Sequence, residues 1–363
     1  MKISLSKMYV DDRIKRAVID VLNSGQYIKG QKLRDYEQEF ADFCNTKYAV
    51  GVSSGTSAIL LSLMALGIGA GHEVIVPAYT FIATATPTVF LGGKPVYADI
   101  DPETYTVAPD DIRKKISPKT KAIVPVHLYG HPCDMDTINK LAKKYGLYVI
   151  EDACQAHGAT YKRCKAGSLS DVACFSFYPS KNMTVLGDGG MVTTNNSELA
   201  QKIRMMADHG RTEKYIHKLL GLNFRMSEIS AAIGREQLRH VAAWNDTRRK
   251  IAARYNDLLR GLDVSTPVEK EWAKHVYHMY VIRVKQRDKL ASYLLEKGIQ
   301  TGIHYPVPLH RQPCVKADIR LPVTEKYVNE ILSLPMYPQL TDGEIEYVAS
   351  NIRAFLESSS CQA

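Results

Sequence analysis

Six short apolar runs divide the first two thirds of the chain, and segments with a helical pattern separate them. The runs are rich in Val, Ile, Tyr and Phe and do not alternate strictly, which is typical of strands covered on both faces. They occupy residues 48–52, 72–78, 94–100, 122–129, 147–152 and 172–178. Helical patterns occur between them at 54–67, 110–116 and 135–146. This succession predicts an α/β fold with a mostly parallel sheet.

The pattern changes near residue 227. Residues 227–262 contain few helix breakers, which predicts one long helix at the junction of two domains. Shorter elements follow, namely an apolar run at 275–284, helical patterns at 287–298 and 344–358, and a Pro-containing segment at 301–310. A chain of 363 residues has room for about two domains.

We therefore predict three parts. Residues 1–12 form an N-terminal arm, and residues 13–240 form a large domain around a mixed, mostly parallel sheet. Residues 241–363 form a smaller C-terminal α+β domain.

Composition narrows the class of protein. The chain is 45% apolar and 23% charged, and its 47 basic and 38 acidic residues give a net charge of +9. The basic residues are dispersed among acidic ones, which is not typical of a nucleic-acid-binding protein; an anionic small substrate, or no functional role of the charge, explains the excess equally well. No apolar run approaches the roughly 20 residues that span a membrane. The first residues lack the apolar block of a signal peptide, so a cytoplasmic location is expected.

Seven cysteines are scattered along the chain, and none forms a CxxC pair. An odd number without regular spacing is typical neither of a disulfide framework nor of a zinc site. We expect reduced thiols and no metal.

Three candidate sites follow predicted strands, at the sheet edge where α/β proteins bind ligands. The first is SSGTS (53–57), where Gly55 and a helix N-terminus suit a phosphate; an ordinary Ser/Thr helix cap explains the same letters. The second is EDACQAHGA (151–159), where Asp152 could hold a cationic group and Gln155 could line the same pocket. A helix cap with His157 as a core histidine is the alternative there.

The third candidate is SFYPSKN (176–182), in which Ser176 ends a strand and Lys181 follows in a loop. A lysine beside an apolar pocket has a depressed pKa and can act as a nucleophile, whereas most lysines are solvated. A phosphate cradle, a carboxylate and such a lysine are together the parts of a pyridoxal 5′-phosphate (PLP) site. PAYTFIATA (77–85) supplies Tyr79 and Phe81 at the same edge to cover the ring.

Six motifs, in this order, resemble the DegT/DnrJ/StrS family of nucleotide-sugar aminotransferases, which are fold-type I PLP enzymes. They are GVSSGTSA, VPAYTFIATA, EDACQAHGA, FSFYPSKNMTVLGDGG, GLNFRMSEISAAIG and HYPVPLH. The resemblance covers essentially the whole chain. It implies a PLP cofactor that cycles through pyridoxamine 5′-phosphate.

The resemblance also implies roles for individual residues. Lys181 would form the Schiff base and shuttle protons, Asp152 would pair with the pyridine nitrogen, and Gln155 would bond the 3-oxygen. Phe81 would stack on the ring. The phosphate would be held by Gly55, Thr56, Ser57 and Ser176, and by Asn223 of a neighbouring subunit, which implies a homodimer. Candidate substrate contacts are Tyr178, His304, Tyr305 and, more weakly, His310.

The implied reaction moves an amino group from L-glutamate to a keto group, with C3 favoured, of a dTDP- or UDP-linked sugar. A 4-keto substrate is the alternative within the family. Some members carry histidine at the Schiff-base position and are dehydratases, and Lys181 disfavours that activity here. A non-catalytic regulatory protein with the same fold is a further alternative. Arg211, Lys214 and Arg225 are candidate contacts for the anionic substrate, although solvated charge explains them as well.

Overall fold

The computed structural model describes residues 1–360; residues 361–363, the end of the predicted second domain, lie outside the described part. Within the described part the helices are α1 Asp12–Ser24, α2 Gln31–Cys44, α3 Gly55–Ala65, α4 Thr86–Phe90, α5 Pro109–Lys115, α6 Met135–Tyr145, α7 Ser197–Ala207, α8 Glu228–Leu238, α9 Val241–Leu258, α10 Arg287–Glu296, α11 Pro322–Tyr327 and α12 Asp342–Ser360. Short 3₁₀ helices occur at Ile82–Thr84, Leu128–Gly130, Leu309–Arg311 and Pro313–Val315. The strands are β1 Tyr48–Val52, β2 Glu73–Pro77, β3 Lys94–Ala98, β4 Thr120–Ile123, β5 Tyr148–Asp152, β6 Thr160–Tyr161, β7 Cys164–Lys165, β8 Val172–Ser176, β9 Gly190–Thr194, β10 Arg211–Glu213, β11 Ile216–His217, β12 Ala273–Lys274, β13 Tyr280–Arg283 and β14 Ile331–Leu334.

Seven strands form the main sheet in the order β1-β9-β8-β5-β4-β2-β3. The strand β9 is antiparallel to both of its neighbours, and the other pairs from β8 to β3 are parallel. All six predicted strand runs contribute to this sheet, so the predicted α/β fold with a mostly parallel sheet is confirmed. Because β9 is reversed, its first residue lies at the edge where the parallel strands end.

Successive side chains of the sheet enter different cores, as the predicted two-sided burial requires. Val74 and Val172 pack on one face with helices α3 and α7. Their neighbours Ile75 and Ala173 point to the other face, which is covered by α6 and α2 respectively. Helices on both faces leave the strand ends as the open part of the sheet.

A separate core gathers the C-terminal elements. Helices α9, α10 and α12 pack on the two-stranded antiparallel sheet β13–β14. Ile3, from the N-terminal arm, is fully buried in this core and pairs with Ile299. The first residues of the chain therefore contact the last third of it.

The predicted single helix over 227–262 is wrong. Helix α8 ends at Leu238 and α9 begins at Val241, although no Gly or Pro interrupts the sequence there. His240 stacks on Trp244 with ring centroids 5.2 Å apart, and Tyr9 packs against both rings. The two helices also have different partners, since α8 packs on α1 and α2 whereas α9 packs on α12. Tertiary contacts therefore set this break.

Candidate active site

A cavity of about 480 Å³ opens at the edge where the parallel strands end. The structure brings ten of the predicted site residues together around it, namely Gly55, Thr56, Phe81, Asp152, Gln155, Ser176, Tyr178, Lys181, His304 and Tyr305. Ser57 and Asn223 are not among its lining residues. Residues that lie as far as 250 positions apart in the chain therefore meet at the strand ends, where α/β proteins bind ligands.

The N-terminus of α3 forms one wall of the cavity. Ser54 caps the helix, and the Ser54 and Ser57 side chains bond each other's backbone N–H in a capping box at 3.1 and 2.9 Å. Both polar groups of Ser57 are thus used, and its side chain is buried, so it does not reach the cavity. The N–H groups of Gly55 and Thr56 remain without an intrahelical acceptor.

Glycine is required at position 55 because the walls of the cavity meet there. A Cβ on Gly55 would lie 2.8 Å from both Cys154 Sγ and Ser176 Cβ. The backbone of α3 can therefore approach the ends of β5 and β8 closely only without a side chain.

The adjacent carboxylates Glu151 and Asp152 have different environments. Glu151 is fully buried and accepts hydrogen bonds from His127 Nε2, Gly167 N, Leu169 N and Ser170 Oγ. Asp152 lines the cavity, where Thr84 Oγ1 donates to Oδ2 at 2.8 Å and Cys154 N donates to Oδ1 at 3.2 Å. Glu151 is therefore a structural carboxylate, and Asp152 is the one available to a ligand.

Lys181 lies in the loop between β8 and β9, and its backbone N–H donates to the Tyr178 carbonyl at 2.9 Å. Within residues 1–360, its Nζ has no hydrogen bond or ion pair. Burial lowers the pKa of Lys181, and nearby Cys154 and Asp152 oppose that shift. An amine that deprotonates more readily than an ordinary lysine is a better nucleophile.

Two aromatic residues, Phe81 and Tyr305, form another part of the cavity wall. Phe81 is half exposed, and its ring centroid lies 5.7 Å from that of Tyr305. Gln155 donates from Nε2 to the Tyr305 hydroxyl at 3.2 Å and accepts from Tyr129 N at 2.7 Å. Tyr79 is buried behind Tyr305 and accepts its backbone N–H at 2.6 Å. Phe81, and not Tyr79, therefore faces the cavity.

The predicted substrate contacts differ in their surroundings. His304 Nδ1 lies 2.9 Å from Ser333 Oγ, and burial, with a smaller effect of Lys181, lowers the pKa of His304 to about 4. His304 is therefore neutral at pH 7. Tyr178 is 55% exposed beside the cavity.

Two other histidines lie outside the cavity lining. His310 is fully buried and bonded to Glu325 at 3.0 Å, which is a packing role. His157 is buried between Phe175 and Phe177, so it is the core histidine of the alternative interpretation.

The candidate anion contacts are already paired. Arg211 and Arg225 each bond Asp208 at 2.7 Å, as does Lys29. These groups line a second cavity of about 520 Å³. Lys214 lies over the ring of Tyr215, an exposed residue. Asn223 is exposed and pairs with Asp208 through its backbone.

Sequence reasoning missed several residues of the Lys181 cavity. Thr80, Thr84, Cys154 and Asp188 also line it. Thr84 Oγ1 lies 3.0 Å from Thr80 Oγ1 and donates to Asp152, so it orients the carboxylate. The signal was present, because Thr84 follows Phe81 by three residues within the same motif and a 3₁₀ turn brings it back to the cavity.

Three negative observations concern the described residues alone. No helix there is long and apolar enough to cross a membrane. No cluster of three His, Cys, Asp or Glu side chains could hold a metal ion. The six described cysteines, from Cys44 to Cys314 inclusive, are free thiols, and Cys361 lies outside the described part.

Comparison with known proteins finds relatives over almost the whole chain. The profile of the DegT/DnrJ/EryC1/StrS aminotransferase family matches residues 8–353. The dTDP-3-amino-3,4,6-trideoxy-alpha-D-glucose transaminase of Streptomyces venezuelae is 42% identical over 94% of this chain and 91% of its own. A UDP-N-acetyl-3-dehydro-alpha-D-glucosamine 3-aminotransferase from Acidithiobacillus ferrooxidans is 43% identical over 95% and 94%. A "pleiotropic regulatory protein" of Geobacillus stearothermophilus is 42% identical over 97% of both chains.

Solved structures share the whole fold. DesV of S. venezuelae, in complex with a ketimine intermediate, superposes with a TM-score of 0.96 at 40% identity and covers 98% of this chain and 99% of its own. The Bacillus subtilis protein NtdA, with bound cofactor PMP, gives a TM-score of 0.90 at 36% identity, covering 95% and 82%. Both structures share the fold-type I architecture predicted from the sequence.

Proposed function

Because the chain belongs to the DegT/DnrJ/EryC1/StrS aminotransferase family, we propose that it transfers an amino group from L-glutamate to the C3 keto group of a dTDP- or UDP-linked sugar. The protein is an aminotransferase with a PLP cofactor. The observation that carries the proposal is the unpaired Lys181 amine, which shares one cavity with the ligand-facing carboxylate Asp152.

The residues of the cavity fit PLP. The free N–H groups of Gly55 and Thr56, at the N-terminus of an 11-residue helix, suit its phosphate, with the Ser176 hydroxyl beside them. Asp152 is a buried acceptor suited to a protonated ring nitrogen, and Gln155 has a second amide hydrogen left for the 3-oxygen. The backbone at Gly55, where there is no space for a side chain, would form the phosphate cradle.

When bound, PLP supplies an aldehyde that takes up amino groups and a ring that withdraws electrons from the reacting carbon. Lys181 Nζ, with its lowered pKa, is suited to accept a proton from one carbon of the reacting C=N unit and to donate it to the other. Asp152, oriented by Thr84, keeps the site favourable to a positive charge. Phe81 and Tyr305 exclude water from one side of the cavity.

The sugar position is supported by the relatives. Both transaminases named above carry the number 3 in their printed names. His304 and Tyr305 lie in the same cavity as Lys181 and would face the sugar. A histidine that is neutral at pH 7 would accept or donate a hydrogen bond to a sugar hydroxyl without adding charge.

A substrate panel tests this proposal. The purified protein, loaded with PLP, is incubated with L-glutamate and with dTDP- or UDP-linked 3-keto and 4-keto sugars, and amino-sugar products are measured by mass spectrometry. Amination of 3-keto sugars, accompanied by 2-oxoglutarate, is expected. Amination of 4-keto sugars alone would show the alternative specificity, and loss of a hydroxyl without amine gain would show dehydration.

We further propose a homodimer in which Asn223 of each subunit reaches the phosphate of the other. Asn223 is exposed and lies outside the Lys181 cavity of its own chain, which suits a role in trans. Exposed apolar residues on the same segment, among them Tyr215 and Leu220, suit burial against a second copy.

A complementation experiment distinguishes Asn223 acting on the partner's site from Asn223 acting within its own subunit. Lys181→Ala and Asn223→Ala are unfolded together and refolded, so that hybrid dimers form. If Asn223 acts in trans, each hybrid has one intact site, and random mixing restores about a quarter of wild-type activity. If Asn223 acts within its own subunit, mixing restores nothing above the activity of Asn223→Ala.

A further inference from the structure

Asn182, the residue after Lys181, is buried, and both the nitrogen and the oxygen of its side-chain amide form hydrogen bonds. Nδ2 donates to the Val276 carbonyl at 3.1 Å and to Asn245 Oδ1 at 2.8 Å. Oδ1 lies 3.2 Å from His278 Nδ1. Because a carbonyl only accepts, the bond to Val276 identifies the nitrogen end of the amide, and His278 Nδ1 must be the donor.

Two more side chains extend this network. Asn245, on α9, donates to the His157 carbonyl at 2.7 Å, in the loop that follows Asp152. Arg248, one turn along α9, is buried without a carboxylate partner among the described residues. It donates to the carbonyls of Tyr277, His278 and Met336 at 3.2, 3.4 and 3.0 Å. Asn182 is thus tied to the cavity wall on one side and to the C-terminal elements on the other.

Titratable groups of several elements surround the Lys181 amine. They are Asp152, Cys154, His157, His278 and His304, and Arg248 lies near His278. Burial lowers the pKa of all three histidines, to about 3 for His157 and about 4 for His304. These histidines are neutral at pH 7, so burial, and not repulsion by charged imidazoles, lowers the pKa of Lys181.

We infer that Asn182 and His278 are positioning residues for Lys181, which tie its loop to α9 and the C-terminal core and keep its amine partly dehydrated. The inference rests on the proposed function, in which Lys181 is the reacting amine. Neither side chain lines the Lys181 cavity. They therefore act through the lysine rather than on the substrate.

The test compares wild-type protein with Asn182→Ala and His278→Leu, each full-length and loaded with PLP. The absorbance band at about 400–430 nm is titrated against pH, and kcat and KM are measured. If either substitution loosens the loop, water reaches the Lys181 nitrogen and stabilises its protonated, cationic form. The midpoint pH of the absorbance titration should therefore rise by about half a pH unit or more. A displaced lysine should lower kcat about 10- to 100-fold with little change in KM.

Two further variants separate positioning from general stability. His278→Asn places an amide donor near the position of Nδ1 and should restore the wild-type midpoint. Thr193→Val removes a buried hydrogen bond to the Gly167 carbonyl, 2.8 Å long, outside the cavity lining. This variant should lower the melting temperature without moving the midpoint.

The inference is overturned if Asn182→Ala and His278→Leu lower only the melting temperature, as Thr193→Val does. If Asn182→Ala does not fold, the comparison of His278→Leu with His278→Asn decides the question alone. A wild-type protein that develops no absorbance band on adding PLP would instead overturn the proposed function, and this inference with it.

Discussion

Gly190→Ala tests whether the approach of β9 to α3 builds the phosphate cradle. A Cβ at Gly190, the first residue of β9, would lie 2.3 Å from the Ser54 carbonyl oxygen and 2.9 Å from Gly55 N, whereas ordinary contacts begin at 3.4 Å. Both obstacles are backbone atoms, so the strand and the helix N-terminus must separate by about 1 Å, and errors of that size at positioning groups cost about 100-fold.

The expected loss can be stated as a dissociation constant. A hydrogen bond to a charged group is worth about 1.5–3 kcal/mol, and 1.4 kcal/mol is a factor of about ten in affinity. Displacing one phosphate-binding N–H of α3 should therefore weaken PLP binding about 10- to 100-fold. Equilibrium dialysis of apo-protein against PLP measures this directly.

Gly187→Ala is the matched control, because a Cβ there meets no atom within 4 Å and the residue lies in the loop just before β9. It should bind PLP with the wild-type dissociation constant. If Gly190→Ala also binds PLP like wild type, the claim that this approach forms the cradle is refuted.

Further substitutions test the Lys181 cavity, its two adjacent carboxylates and the Asp208 cluster. Lys181→Ala should abolish turnover while PLP still binds, and borohydride should fix PLP to wild type but not to the variant; normal turnover by the variant would exclude the assigned role. Glu151→Ala leaves buried donors unpaired and should cost about 3–5 kcal/mol of stability, whereas Asp152→Asn should keep a wild-type melting temperature and lose activity; equal melting temperatures for the two variants would contradict this contrast. Although burial raises it, bonds from Arg211 and Lys29 lower the pKa of Asp208 to about 2, so its stabilisation is present above about pH 4 and disappears toward pH 2. The melting-temperature difference between wild type and Asp208→Asn should shrink over that range, and a constant difference would exclude this ionisation as its source.

The sequence could predict much of the site because a strand end can be recognised from a few neighbouring residues, whereas the ends of parallel strands meet in the fold and gather residues that are distant in the chain. Asp152 and Ser176 end predicted strands and Lys181 follows one closely, and parallel strands end at one edge. The same rule could not separate Asp152 from Glu151. Neighbouring side chains of a strand point to opposite faces of the sheet. Which of the two carboxylates points into the cavity is therefore known only when one residue of the strand has been assigned to a face.

Other features depend on contacts that no local pattern shows. The break between α8 and α9 contains no Gly or Pro, and Tyr9, more than two hundred residues earlier, helps to fix it. Ser57 matched a phosphate motif, yet its hydroxyl is used by Ser54 in the capping box. The two candidate anion-binding arginines, Arg211 and Arg225, share one carboxylate, and that pairing depends on how the chain returns to Asp208.

The reversed strand β9 has a consequence for the order in which the protein folds. The strand β1 has a single neighbour in the main sheet, and that neighbour is β9. During synthesis, β1 at residues 48–52 must therefore wait until residues 190–194 have left the ribosome before it can pair. Such a distant pairing is among the slow steps of folding. The same event carries α3, which follows β1, to the Lys181 loop, which precedes β9, so the cofactor site and the edge of the sheet are completed together.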